Sequence, residues 1–166
     1  LLGQSGVGKT SIISQFINGQ FDFNVMSSTG GSYATKIITF PEYDKKLTFE
    51  IWDTAGQEQY RSLTKIFYKE ASIAILVYDI TNKESFEVLK DYWFPEVKEY
   101  GCKNIIIGIC GNKSDLYENE KVSTEEAKTF ADEVGAIFGM SSALTSIGIE
   151  DIFINAGKKY LDPEYK

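Results

Sequence analysis

Gly3-Gln4-Ser5-Gly6-Val7-Gly8-Lys9-Thr10-Ser11 decides how the rest of this chain is read. Gly3, Gly8, Lys9 and Thr10 satisfy the pattern G-x-x-x-x-G-K-[ST], the phosphate-binding P-loop. A polyphosphate carries several negative charges and needs donors on many sides. Glycines at 3, 6 and 8 let the backbone approach phosphate oxygens closely, and successive N–H groups then form an anion nest. Ser5, Gly6, Val7, Gly8, Lys9, Thr10 and Ser11 are therefore candidate phosphate-binding residues. Lys9 brings a full charge to the β- and γ-phosphates, and Thr10 offers a hydroxyl to Mg²⁺. The flanks agree. Leu1-Leu2 precede the loop as if leaving a strand, and Ile12, Ile13, Phe16 and Ile17 share one helical face after it. The N-terminus of that helix adds partial positive charge. A chance glycine turn ending in Lys-Thr is the competing reading, and these flanks count against it.

Size and composition narrow the rest. A chain of 166 residues fits one domain over 1–166. A chain of this length buries roughly 70% of its unfolded surface and needs no disulfide or metal staple. Cys102 and Cys110 have no metal spacing and give no disulfide framework, which points to a cytosolic setting. The net charge of −7 argues against nucleic acid as the main partner, while a local nest still works at contact distance. Histidine is absent, so catalysis must rest on carboxylates, amides, lysine, a metal or the substrate itself. No apolar run approaches the length of a membrane span. Both ends read as trimmed, with two residues left of the first strand and no lipidation signal at the other end.

The pattern predicts a helix over 9–18, a loop over 21–32, and a hairpin of strands 33–40 and 47–52 around Pro41-Glu42-Tyr43-Asp44. A second glycine-containing loop over 53–61 and a helix near 63–69 follow. The continuous apolar runs 73–78 and 105–110 suit strands buried on both faces of a parallel sheet. Phe86, Leu89, Trp93 and Val97 recur at helical spacing, with Pro95 expected to bend or break that helix. Ser123-Thr124-Glu125-Glu126 is a capping box ahead of Ala127, Phe130, Ala131 and Val134. A short strand over 136–140 and a last amphipathic helix through Ile149, Ile152, Phe153, Ala156 and Tyr160 complete the α/β alternation. The expected fold is an open sheet of six strands, one of them antiparallel, covered on both faces by helices. Ligands bind such sheets at the carboxyl ends of the strands.

Three further motifs follow predicted strands. In Asp53-Thr54-Ala55-Gly56-Gln57, Asp53 suits Mg²⁺ held through water, and the Gly56 N–H suits a γ-phosphate oxygen. Gln57 carries a donor and an acceptor on one amide, which suits orienting an attacking water. In Asn112-Lys113-Ser114-Asp115, the Asp115 carboxylate matches two N–H donors on the guanine edge and faces a lone pair on adenine. Lys113 lays its alkyl stem over the base. In Ser141-Ser142-Ala143, small residues let backbone N–H groups reach a base carbonyl. Thr29 is the candidate for a second hydroxyl on Mg²⁺. Phe21 either packs edge-on against the base or anchors its loop.

Taken together, residues 3–10, Thr29, 52–58, 112–115 and 141–143 resemble a small GTPase of the Ras superfamily, closest to the Rab branch. The stretch 78–86, Tyr-Asp-Ile-Thr-Asn-Lys-Glu-Ser-Phe, is similar to Rab proteins as well. The resemblance covers nearly the whole chain. It implies the P-loop GTPase fold, a Mg²⁺ cofactor, and slow GTP hydrolysis as a molecular switch in vesicle trafficking. It implies Gln57 and Lys9 as catalytic residues, and Thr10, Thr29 and Asp53 around the metal. It extends the nucleotide contacts to Phe21, Thr29, Gly56, Asn112, Lys113, Asp115, Ser142, Ala143 and Leu144. The loops around Thr29 and Gln57 correspond to the two switches, ordered by γ-phosphate and Mg²⁺. Effector, exchange-factor and GTPase-activating partners would use residues 21–32 and 53–69. The resemblance also implies a monomer at the cytosolic face of an internal membrane, held only through a lipidated tail that these residues do not include.

The chain departs from the family pattern at Gly30, where a branched apolar residue is usual, at Leu144, where lysine is usual, and in the loop before Thr29, one residue longer. Ser5 stands where Ras proteins have glycine. No arginine sits in an obvious finger position, Arg61 reading as a switch-surface residue, so a partner would supply that charge. Two other readings are a guanine-nucleotide scaffold that switches little, weighted by Gly30 and the longer loop, and a P-loop kinase. The missing lid and the guanine motif count against the kinase.

Overall fold

The apolar runs 73–78 and 105–110 are uniform in sequence but sorted in space. The computed structural model describes residues 1–21, 32–54 and 68–165. Within them β3 (Ile73–Asp79) pairs in parallel with β4 (Ile106–Asn112), and β4 with β5 (Ile137–Met140). Along β3, Ala74, Leu76 and Tyr78 enter one apolar cluster while Ile75 and Val77 enter another. On β4, Ile107 and Ile109 join the first and Cys110 the second. Side chains alternate across a strand, so a strand covered on both faces must be apolar at every position.

Each cluster has its own helices. Helix α1 (Lys9–Asn18) contributes Ile12, Ile13 and Phe16, and α5 (Ile149–Leu161) contributes Ile149, Ile152 and Phe153. Phe16 stacks on Phe153 at a centroid distance of 3.8 Å, and Phe49 meets both rings edge-on. On the opposite face lie α2 (Lys83–Val88), a π-type turn (Leu89–Trp93), α3 (Phe94–Tyr100) and α4 (Thr124–Val134). Phe86, Leu89, Trp93 and Val97 are all buried there, as their spacing predicts. Replacing Phe153 by Ala is expected to cost about 3–5 kcal/mol in urea denaturation, because the ring deletion opens a cavity between α1, α5 and Phe49.

The expected antiparallel hairpin forms, β1 (Ser32–Phe40) against β2 (Lys45–Asp53), turning through Pro41–Tyr43 with Asp44 in the left-handed region (φ 50°). Phe49, Ile51 and Asp53 are buried while Glu50 and Trp52 are exposed, the alternation of a sheet covered on one face.

Three expectations are corrected. Among the described residues there are five strands rather than six, a three-stranded parallel ladder and a two-stranded antiparallel one. Leu1-Leu2 links them as a bridge: Leu2 pairs with Leu76, its N–H donates to Ile75 O at 2.9 Å, and the Leu1 amino group donates to Trp52 O at 3.0 Å. This pairing is a single bridge and not a ladder. Pro95 does not break its helix. It lacks the N–H that would bond back to Asp91, and the turn immediately before it widens to π spacing instead. The capping box is half made. Ser123 Oγ accepts from Glu126 N–H at 3.1 Å, but the Glu126 carboxylate turns to Lys83 Nζ at 3.0 Å. The expected helix near 63–69 lies, apart from its last residues, outside the described residues. Among those described, no helix is long and apolar enough to cross a membrane.

Candidate functional site

Four strands end in buried polar residues on the same rim. Asp53 ends β2 and Thr54 follows it, Asp79 ends β3, Asn112 ends β4, and Ser141 and Ser142 follow β5. Buried polar groups must find partners, and here the partners are the loops themselves.

The P-loop takes the shape its glycines permit, with positive φ at Gly6 and Gly8. Gly8 caps α1 with φ 99° and no side-chain bond, and the first turn carries no acidic residue. The leading N–H groups of α1 are thus set up for an anion rather than for a side-chain cap. Lys9 is 6% exposed and reaches back across the loop, donating to Gly3 O at 3.0 Å and Gln4 O at 3.2 Å. Burial pushes its pKa down to about 8, partly opposed by the Asp53 carboxylate. Ser5 and Gly6 are exposed, Thr10 and Ser11 half-buried, and Val7 is buried.

Thr10 Oγ1 donates to Asp53 Oδ2 at 2.5 Å, so two of the three expected metal residues meet. This is an oxygen-only donor set, suited to a hard cation such as Mg²⁺. Among the described residues no three His, Cys, Asp or Glu side chains cluster to hold a metal by themselves. A cation here would complete its shell with water and phosphate, as Mg²⁺ prefers.

Asn112 ties the two halves of the rim together. Its Nδ2 donates to Val7 O at 2.9 Å in the P-loop. Its Oδ1 accepts from Ser141 Oγ at 3.1 Å and from Ala143 N–H at 3.3 Å. Ser114 N–H donates to Ser141 O at 3.0 Å, and Ser142 Oγ donates to Asp115 Oδ1 at 2.5 Å. The loops carrying 112–115 and 141–143 are thereby one unit, with the half-buried Asp115 carboxylate aimed by Ser142. Lys113, with φ 66°, places its ammonium against Asp79. Leu144 is 46% exposed beside them. Phe21 is half-buried and packs against the cluster of Ile12 and Phe16. Thr29, Gly56 and Gln57 lie outside the described residues.

Asp79 is the participant that motif reading passed over. A carboxylate directly after a buried apolar strand, as at Asp53, is the signal that marks it.

The Ras family model matches residues 1–162. Human Rab-22A is 42% identical over 160 residues, covering 96% of this chain and 80% of that protein. Human Rab-31 is 42% identical over 165 residues (98% and 83%), and mouse Rab-31 is 44% identical over 153 residues (92% and 77%). A glycine-rich loop, the Thr10–Asp53 oxygen pair and the joined loops of 112–115 and 141–143 on one sheet rim accord with that match. The chain belongs to the Ras family, within it to the Rab branch, and is a small GTPase that hydrolyses GTP to GDP and phosphate.

Proposed function

We propose that residues 3–11 hold the phosphates of GTP or GDP and that residues 112–115 and 141–144 hold the guanine. The observation that carries this reading is Asn112, whose amide bonds the P-loop through Val7 and the base loops through Ser141 and Ala143. A nucleotide bound at both ends needs these loops at a set separation, and a shared buried amide provides it.

In this reading Lys9 and the loop amides neutralise phosphate charge. Mg²⁺ would be held by Thr10, Thr29 and, through water, Asp53, and would supply neutralising charge at the phosphates. Gln57 orients the water that attacks the γ-phosphate in line, and Lys9 stabilises the charge that develops. Phe21 lies at the edge of the base. Residues 21–32 and 53–69 form the switch surfaces for effector, exchange-factor and GTPase-activating partners. The protein works as a monomer in vesicle trafficking at the cytosolic face of an internal membrane. No finding favours the scaffold that switches little.

Two measurements test the base assignment. The copurifying nucleotide is expected to be GDP or GTP. Asp115→Asn is expected to weaken GDP binding about 10²-fold, because a carboxylate accepting two N–H bonds becomes an amide with one acceptor and one mismatched donor. Retained guanine selectivity in that variant would contradict the assignment.

A further inference from the structure

Asp79 ends β3 and stands in register with Asn112, the last residue of β4. It is 7% exposed. Its two oxygens have different work. Oδ1 accepts from Thr81 N–H at 2.8 Å and from Thr81 Oγ1 at 2.7 Å, closing the turn after β3. Oδ2 faces the Lys113 ammonium at 2.5 Å. The backbone beneath is tied as well, with Ile80 N–H donating to Asn112 O at 3.1 Å.

Lys113 sits where a side chain rarely goes, at φ 66° between β4 and the 3₁₀ turn Ser114–Asn119. A lysine on a loop ordinarily samples many rotamers, and ordering it against a ligand is unfavourable. Here both ends are held, the Cα by the turn and the ammonium by a largely buried carboxylate. What remains to present to a ligand is the methylene stem.

We propose that Asp79 is a positioning residue for the guanine site: it holds the Lys113 ammonium so that the alkyl stem is laid along the base plane before nucleotide arrives. The inference rests on the reading of residues 112–115 as the base loop. The competing role is a structural one, exerted through Thr81.

The test is dissociation of a fluorescent GDP analogue from the full chain in five variants. Asp79→Asn keeps an oxygen for Thr81 and removes the charge facing Lys113. It is expected to speed dissociation about fivefold, the scale of a partly exposed ion pair. Lys113→Met keeps the stem and removes the tethered ammonium, so it should speed dissociation to the same degree without touching Asp79. The Asp79→Asn, Lys113→Met double variant is expected to be no faster than Lys113→Met alone, since the two act through one contact. Thr81→Val is expected to stay within about twofold of the parent. Multiplying effects in the double variant, a Lys113→Met protein that behaves as the parent, or a Thr81→Val protein as fast as Asp79→Asn would each overturn the proposal. Lys113→Ala removes the stem too. If it leaves dissociation unchanged, the base-loop reading falls and takes the proposal with it, an outcome that does not involve Asp79.

Discussion

Lys9→Met abolishes the thermal stabilisation that GDP confers while leaving the nucleotide-free fold at least as stable as the parent. Two opposing terms produce this result. Lys9 is buried, and desolvation holds its pKa near 8 rather than 10.5. Such a shift corresponds to about 3 kcal/mol against the charged form at neutral pH. Its bonds to Gly3 O and Gln4 O lie within that net balance. Methionine fills similar space with no charge to desolvate. With nucleotide present the balance reverses, because the phosphates need the cation, and losing it is expected to weaken GDP binding about 10²–10³-fold. Thermal denaturation with and without GDP reads both terms, since a ligand stabilises only in proportion to its affinity for the folded state. A Lys9→Met protein that still gained stability from GDP as the parent does would refute the assignment.

The same group sets a pH dependence. The folded pKa of Lys9 is lowered, so between about pH 8 and 10 the unfolded state binds more protons. Stability of the empty protein from this group therefore rises with pH across that window. Nucleotide binding runs the other way: phosphate restores the charge, so binding above about pH 8 takes up a proton and weakens as pH rises. Binding heats at pH 8.5 in two buffers of different ionisation enthalpy measure that uptake, and Lys9→Arg, charged throughout, is expected to lose it.

Gly8→Ala is expected to destabilise the nucleotide-free protein by about 3–6 kcal/mol, far beyond a typical single substitution. A Cβ at Gly8 would fall 2.3 Å from Asn112 Nδ2, and the backbone there has φ 99°. The conformation alone costs about 1–2 kcal/mol. To clear the contact Asn112 must turn away from Val7 O, Ser141 Oγ and Ala143 N–H, and each buried group left unpaired costs about 1–3 kcal/mol. Gly6→Ala in the same loop is the control. Its φ is 83° but nothing lies within 4 Å of the added carbon, so strain of about 1–2 kcal/mol is all that is expected. Urea denaturation of both variants decides it: equal destabilisation would mean that the Gly8–Asn112 contact carries no weight.

Much of the fold was legible because local patterns bear directly on local structure. The glycine-rich loop, the helix after it, the hairpin and the buried helical stripe from Phe86 to Val97 follow from glycine spacing, turn residues and periodicity. Departures arose where distant residues compete for a group. Glu126 fits a capping box by spacing, but Lys83, 43 positions away, claims its carboxylate. Pro95 reads as bending or breaking its helix, but Trp93 and Val97, buried on either side of it, hold the helix together through a π turn.

The sequence by itself determined the chemistry on offer: a nest of glycines, a lysine and threonine beside it, a carboxylate for a base edge, and no histidine. It could do so because residue type and short spacing specify donors, acceptors and charge. Only the tertiary structure decided how those groups are held. Asn112 reads as a base contact, and the structure makes it also the brace between two loops, while Asp79, given no role by any motif, faces Lys113. Those partnerships depend on β3 and β4 ending in register, a pairing between residues 33 positions apart that no local pattern encodes.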